Sequence, residues 1–194
     1  PGAGATVASF VSYGVERQEW RAYLESVSIE RRFPGIDGVG FIARVPRDTV
    51  EKFLKETRDD RTPNFAIKEA GTNADLFVVK FLEPEPRHRA MLGRDISVDL
   101  VQRSVAERAR NTGRATLSGV VTLRDGVRSP QPGCLMLLPV YRTGPPPRSL
   151  EQRQESITGW VFARFITAQL MREVLRDKHP GIHRCRQLGE DFAA

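Results

Sequence analysis

Residues 83–123, EPEPRHRAMLGRDISVDLVQRSVAERARNTGRATLSGVVTL, decide how the rest of the chain is read. The stretch opens on a Pro-rich corner, passes a polar loop holding Asp95, runs into an amphipathic helix, and turns at Gly113 into a new strand. Val98, Val101, Val105 and Ala109 recur at offsets of three and four, which predicts one apolar stripe. Ser97 suits the N-cap, and Gly113 suits the position just past the last turn. A helix with a single apolar stripe must lie on something, and the flanking strands supply the sheet. With the helix as a lid, Asp95 before it and Leu117 after its turn are expected to meet at one rim of the space beneath.

Residues 16–33 predict a first helix, with Trp20, Tyr23, Leu24 and Val27 on one face and Pro34-Gly35 as its stop. Its apolar stripe needs a partner, either the domain's own sheet or a second copy of the chain. A strand is expected over 38–45, then a helix capped by Asp48 with Glu51 three residues on, its core face carrying Val50, Phe53, Leu54 and Thr57. Residues 64–70 and 76–82 alternate as strands about a Gly71-Thr72-Asn73 hairpin turn, with Phe77, Val79 and Phe81 on one face. Downstream, 115–123 and 134–142 read as strands, and TGPPPRSLEQRQES (143–156) as a mobile loop open to proteolysis. Residues 159–166 form another strand, with Trp160 and Phe162 on one face. Thr167 caps a last helix bearing Leu170, Met171, Val174 and Leu175, which His179-Pro180-Gly181 stops. Antiparallel hairpin-like runs with helices on one side predict an α+β fold and not a doubly wound parallel sheet.

The totals narrow the function. The chain has 194 residues, 40% hydrophobic and 28% charged, as ordinary globular proteins do. Its net charge of +6 is mostly dispersed Arg set among acids, without a zinc-finger, helix-turn-helix or RNP-type pattern, so nucleic acid is not the expected partner. Neither G-x-G-x-x-G nor G-x-x-x-x-G-K-[ST] occurs, and no nucleotide cofactor is expected. The longest apolar run, Cys134–Tyr141, is strand-sized, far short of the roughly 18–20 residues of a membrane helix. The start lacks a Met and a basic signal region, so the chain reads as a piece of something longer. Of its two cysteines, Cys134 is expected to be buried as a small hydrophobe, and Cys185 leaves a disulfide open. The spacing of His179, His183 and Cys185 resembles a metal site, but without a fourth ligand no metal is expected. Glu83 and Glu85 straddle prolines with no nucleophile beside them, and His88 in its charged loop is expected to be solvated.

Several stretches in order resemble one family. FPGIDGVGFIARV (33–45), the EP corner with GRD (83–95), RARNTGRATLSGVVTL (108–123) and LLPVYRTG followed by GWVFARF (137–165) resemble the CHASE sensor domain. RQEWRAYLESVSIERRFPGI (17–36) is similar to that family's N-terminal helix and its exit. The resemblance implies an extracytoplasmic, periplasmic ligand-binding domain of a membrane-bound histidine kinase or diguanylate cyclase, non-enzymatic in itself. The parent chain would be anchored by flanking helices and homodimeric through the N-terminal helix. It further implies a helical stalk over 1–34, a PAS-like ligand-binding subdomain over 35–166, and the start of a second PAS-like subdomain over 167–194. In the cytokinin-binding members an Asp side chain and a Leu main chain bracket an adenine-like ring, and their spacing matches Asp95 and Leu117 here. Phe81, Leu138, Trp160 and Ala163 are then the expected walls, and Arg164, where plant members are small, is expected to point outward. Two rivals stay open: a small hydrolase or transferase using Glu83 or Asp95 as base, and a basic module for an anionic polymer.

Overall fold

The computed structural model describes residues 17–27, 35–124, 129–142 and 145–178. The ends of the expected first helix, Glu16 and 28–33, and the His179, His183 and Cys185 trio lie outside the described residues. The elements run α1 (Arg17–Val27), β1 (Ile36–Pro46), α2 (Val50–Asp59), β2 (Asp75–Glu83), α3 (Glu85–His88), α4 (Leu100–Thr112), β3 (Thr116–Leu117), β4 (Val121–Leu123), β5 (Gln131–Tyr141), α5 (Leu150–Ser156), β6 (Ile157–Ile166) and α6 (Thr167–Lys178). Six strands form one antiparallel sheet in the order β2-β1-β6-β5-β3, with β4 also pairing β5. The fold is α+β, as the alternating strand patterns require.

Side-chain alternation along β6 divides the core. Trp160 and Phe162 face α4, and the indole N–H of Trp160 donates to the Ala106 carbonyl at 2.9 Å. A buried Trp with its one donor satisfied fixes the helix to the sheet at a defined depth. The opposite face receives α1, whose Trp20 is buried and stacks on Phe81 at 6.0 Å. Helices therefore cover both faces of the sheet, not one. The apolar face of α1 lies against its own domain through Trp20 and Leu24.

A bulge redraws β2. Phe41 pairs with Phe81 but Ile42 pairs with Val79, so Lys80 is the extra residue. Since one inserted residue reverses the alternation, Phe77 and Val79 keep the α4 face while Phe81 turns to α1. The expected common face of Phe77, Val79 and Phe81 is thus broken at Lys80.

The expected hairpin over 64–82 does not form. The strip Gly93–Asp95 enters between the two segments instead. Val79 N–H donates to the Arg94 carbonyl (3.0 Å), Gly93 N–H to the Val79 carbonyl (2.9 Å) and Lys68 N–H to the Gly93 carbonyl (2.7 Å). Residues 64–70 are left with a single bridge, Lys68 to Arg94. Gly93 has φ +80°, and a Cβ there would come within 1.9 Å of the Ala66 carbonyl oxygen, so only glycine serves.

Three smaller expectations change for local reasons. α2 starts at Val50, and Asp48 sits one step early in a 3-10 turn with no capping bond. Residues 150–156, expected as loop, form α5, capped by the Ser149 hydroxyl accepting from Gln152 N–H. The expected strand 115–123 is split into β3 and β4 because Ser118 bonds β5 twice, its N–H donating to the Leu135 carbonyl and its hydroxyl accepting from Leu135 N–H.

Candidate functional site

The helix expected to act as lid is in place, with its details shifted. Asp99, not Ser97, is the N-cap of α4, its carboxylate accepting from Val101 and Gln102 N–H. Gly113 closes the helix at φ +69°. The buried face is Val105, Ala106 and Ala109, while Val98 and Val101 are 41% and 49% exposed. The later cap rotates the first turn, so two of the four expected stripe residues look outward.

Beneath the N-terminal end of α4 lies a recess of about 20 Å³. Room for about one water is what such a volume offers. Ile42, Val79, Leu135 and Phe162 from the sheet line it, with Ile96, Met91 and Gln102 from the cover and Thr122, Arg94, Arg124 and Arg164 as its polar groups.

The residues expected to form the site are dispersed. Asp95 is fully buried, but its carboxylate is occupied by main chain: Oδ1 accepts from Phe77 N–H (2.9 Å) and Ser97 N–H (2.9 Å), and Oδ2 from Gly71 N–H (3.1 Å). It ties the β2 edge, the 71–73 loop and the 3-10 turn before α4 into one piece. Asn73 reinforces that tie by donating to the Ser97 carbonyl and hydroxyl, both at 3.1 Å. The Leu117 side chain is 54% exposed, and its carbonyl accepts from Arg108 of α4 at 3.1 Å. Trp160 is on the α4 face. Leu138 and Ala163 pair opposite Val161 and Met136 and alternate with Leu137 and Phe162, so they face the other way, with Phe81. One sheet cannot present both faces to one cavity, and these six residues do not line a common pocket.

Arg164 corrects the outward expectation. It shares the face of Trp160 and Phe162, is 2% exposed, and lines the recess. Its Nη2 lies 3.4 Å from Asp37 Oδ2, and its Nη1 lies 3.4 Å from His88 Nδ1. Asp37 reaches inward because it is the extra residue in the β1–β6 register, between Ile36 and Gly38. His88, expected in solvent, is fully buried, with Nε2 2.9 Å from the Asp37 carbonyl. A guanidinium only donates, so Nδ1 must accept and the Nε2–H donates to the carbonyl. That is the neutral ring, and burial first, then the Arg164 and Arg87 charges, push the His88 pKa down against the pull of Asp37. The period-two pattern Trp160, Phe162, Arg164 carried this signal, outweighed by the general rule that charges stay outside. Asp37 and His88 had no sequence signal to join them.

The corner beside this cluster also holds α1. Glu83 accepts from Arg21 Nε (3.0 Å), and Glu85 accepts from Arg21 Nη2 (2.9 Å) and Arg17 Nη1 (3.0 Å). Glu83 also accepts from Glu85 N–H at 2.8 Å across the cis Glu83–Pro84 corner. The N–H of Arg17 donates to the Asp60 carboxylate at 3.0 Å, capping α1 from the end of α2. Both glutamates are thus held as ion-pair acceptors. Cys134 is half-buried, its thiol pKa raised by desolvation. No cluster of metal-ligating side chains occurs among the described residues.

Taken together, this is an α+β domain with one antiparallel sheet, a lid helix on one face and a tethered entry helix on the other. Comparison with known families matches the CHASE domain over residues 13–188, and the chain belongs to that family. CHASE domains are extracytoplasmic sensor domains of signalling receptors, sensory and not catalytic. No curated protein matches the chain. Among the described residues no helix is long and apolar enough to cross a membrane.

Proposed function

We propose that this chain is the ligand-sensing domain of a membrane-anchored receptor, a histidine kinase or diguanylate cyclase, and that the ligand seat is the recess under α4. In this reading residues 35–166 are the PAS-like binding unit, 1–34 the stalk that enters it and 167–194 the passage to a second unit. The observation that carries the reading is the position of Arg164. Arg164 lines the recess, and its guanidinium pairs with Asp37 and His88. His88 ends the short helix that begins at Glu85, and Glu85 holds Arg17 and Arg21 of α1. A ligand that draws on Arg164 therefore acts on the corner that fixes the entry helix.

Such a ligand shifts the receptor only by its difference in affinity for the two arrangements; moving a 1:99 population to 99:1 takes about 5.5 kcal/mol. Two copies in the parent receptor would pair along the outward face of α1, through Gln18, Ala22 and Glu25, since Trp20 and Leu24 are already covered by the domain itself.

The test is receptor output in the full-length protein carrying Thr122→Trp, which fills the recess from its exposed rim, and Glu85→Gln, which loosens α1. Both variants are expected to shift basal output or abolish its response, with the domain still folded by circular dichroism. Output and response identical to the parent in both variants would overturn the reading.

A further inference from the structure

Resting on that seat, we propose that the recess takes the carboxylate of a small organic acid. The groups that line it are three arginines, one amide and one hydroxyl on an apolar floor, and no carboxylate is among them. Guanidinium groups only donate hydrogen bonds, so the complementary ligand atoms are acceptors. The two inner charges are already balanced. Arg164 has Asp37 behind it at 3.4 Å, and Arg94 Nε has Glu69 Oε2 at 3.1 Å on its outer side. Arg124, exposed at the rim beside Thr122 and Leu123 of β4, adds a charge to the mouth. The Arg164–Asp37 pair is buried and the Arg94–Glu69 pair partly exposed, and in both it is the arginine, not its acid, that lines the recess. An anionic ligand oxygen finds hydrogen-bond donors among these arginines, whereas the N–H of a neutral heteroaromatic edge would have only the Gln102 and Thr122 side chains as acceptors.

Room for about one oxygen means that only the tip of the anion enters, and the apolar floor of Ile42, Val79, Leu135 and Phe162 favours an acid with a carbon chain over inorganic phosphate. The remainder of the acid would lie at the mouth, against Met91 and Arg124, both of which line the recess.

Calorimetric titration of the domain at constant ionic strength with succinate, acetate, glutamate and citrate, the neutral diamide of succinate, inorganic phosphate and adenine tests this. Succinate is expected to bind about tenfold or more tightly than its diamide, a difference of about 1.4 kcal/mol. Arg124→Gln is expected to weaken succinate to a similar extent, with the surface variant Arg148→Gln unchanged. Arg124 is exposed, so its replacement leaves the fold intact. Equal or tighter binding of the diamide, phosphate or adenine would overturn the carboxylate assignment and leave the sensor reading standing. Succinate binding unmoved by both Arg124→Gln and Arg94→Gln would place the acid elsewhere and overturn it too, as would absence of binding by all four acids. Carboxylate binding that follows these rules, with receptor output and response indifferent to both Thr122→Trp and Glu85→Gln, would overturn the sensor reading alone.

Discussion

Replacing Asp95 separates a structural carboxylate from a ligand-binding one. Its two oxygens accept from three main-chain N–H groups on three separate segments, at 2.9, 2.9 and 3.1 Å, in a residue with no exposure. Hydrogen bonds to a charged acceptor contribute about 1.5–3 kcal/mol each, and an abandoned buried donor costs about 1–3 kcal/mol. The Phe77 and Ser97 N–H groups are buried and cannot recover their bonds, while that of Gly71 lies nearer water. Asp95→Ala is therefore expected to lose about 3–5 kcal/mol. At about 2–4 °C per kcal/mol for a chain of this length, Tm should fall by roughly 6–20 °C. Asp95→Asn keeps one oxygen for two of the donors but turns an NH2 toward the third, and should lose about 1–3 kcal/mol. Urea unfolding gives the free energy, and amide exchange should quicken at Gly71, Phe77 and Ser97 ahead of the rest of the β2 edge. A variant as stable as the parent, with ligand binding abolished, would refute this account and return Asp95 to the pocket.

Gly40→Ala should destabilise by about 1–3 kcal/mol or more, since its Cβ would come within 2.2 Å of the Phe81 carbonyl and 2.6 Å of the Phe162 ring; thermal unfolding checks it. The His88 ring is held neutral when folded, its pKa pushed below the usual value by burial. Protons then favour the unfolded chain as pH falls below about 6.5, so stability is full above that pH and declines beneath it. His88→Gln should lack that decline when unfolding is followed across pH 5–7, with Asp37, Arg87 and Arg164 unchanged around it. The Tyr141 hydroxyl donates to the Arg110 carbonyl at 2.6 Å, and burial pushes its pKa up to about 12. Ultraviolet titration should find Tyr141 ionising late, and its share of stability, present below about pH 10, should be lost as pH rises toward 12. Tyr141→Phe should lose about 0.5–1.5 kcal/mol.

Local chemistry made much of the fold readable. Short apolar runs placed β1 and β5, alternation placed β2 and β6, and the 3.6-residue stripe with Gly113 placed α4, because strand patterning and capping act over a few residues. The motif order in 33–45, 83–95, 108–123 and 137–165 identified the family. Polar contacts between distant segments were not readable in this way. Asp95 looked like a ligand acceptor because a sequence cannot show that its oxygens are consumed by Gly71, Phe77 and Ser97. Phe81 left the pocket face because one bulge at Lys80 reverses every side chain beyond it, and nothing in DLFVVKFLE marks where an extra residue enters the register. Arg164 entered the core because Asp37 and His88, 127 and 76 positions away in sequence, compensate its charge there. Burial of a charge depends on what meets it in space, and only the assembled sheet brings those partners together.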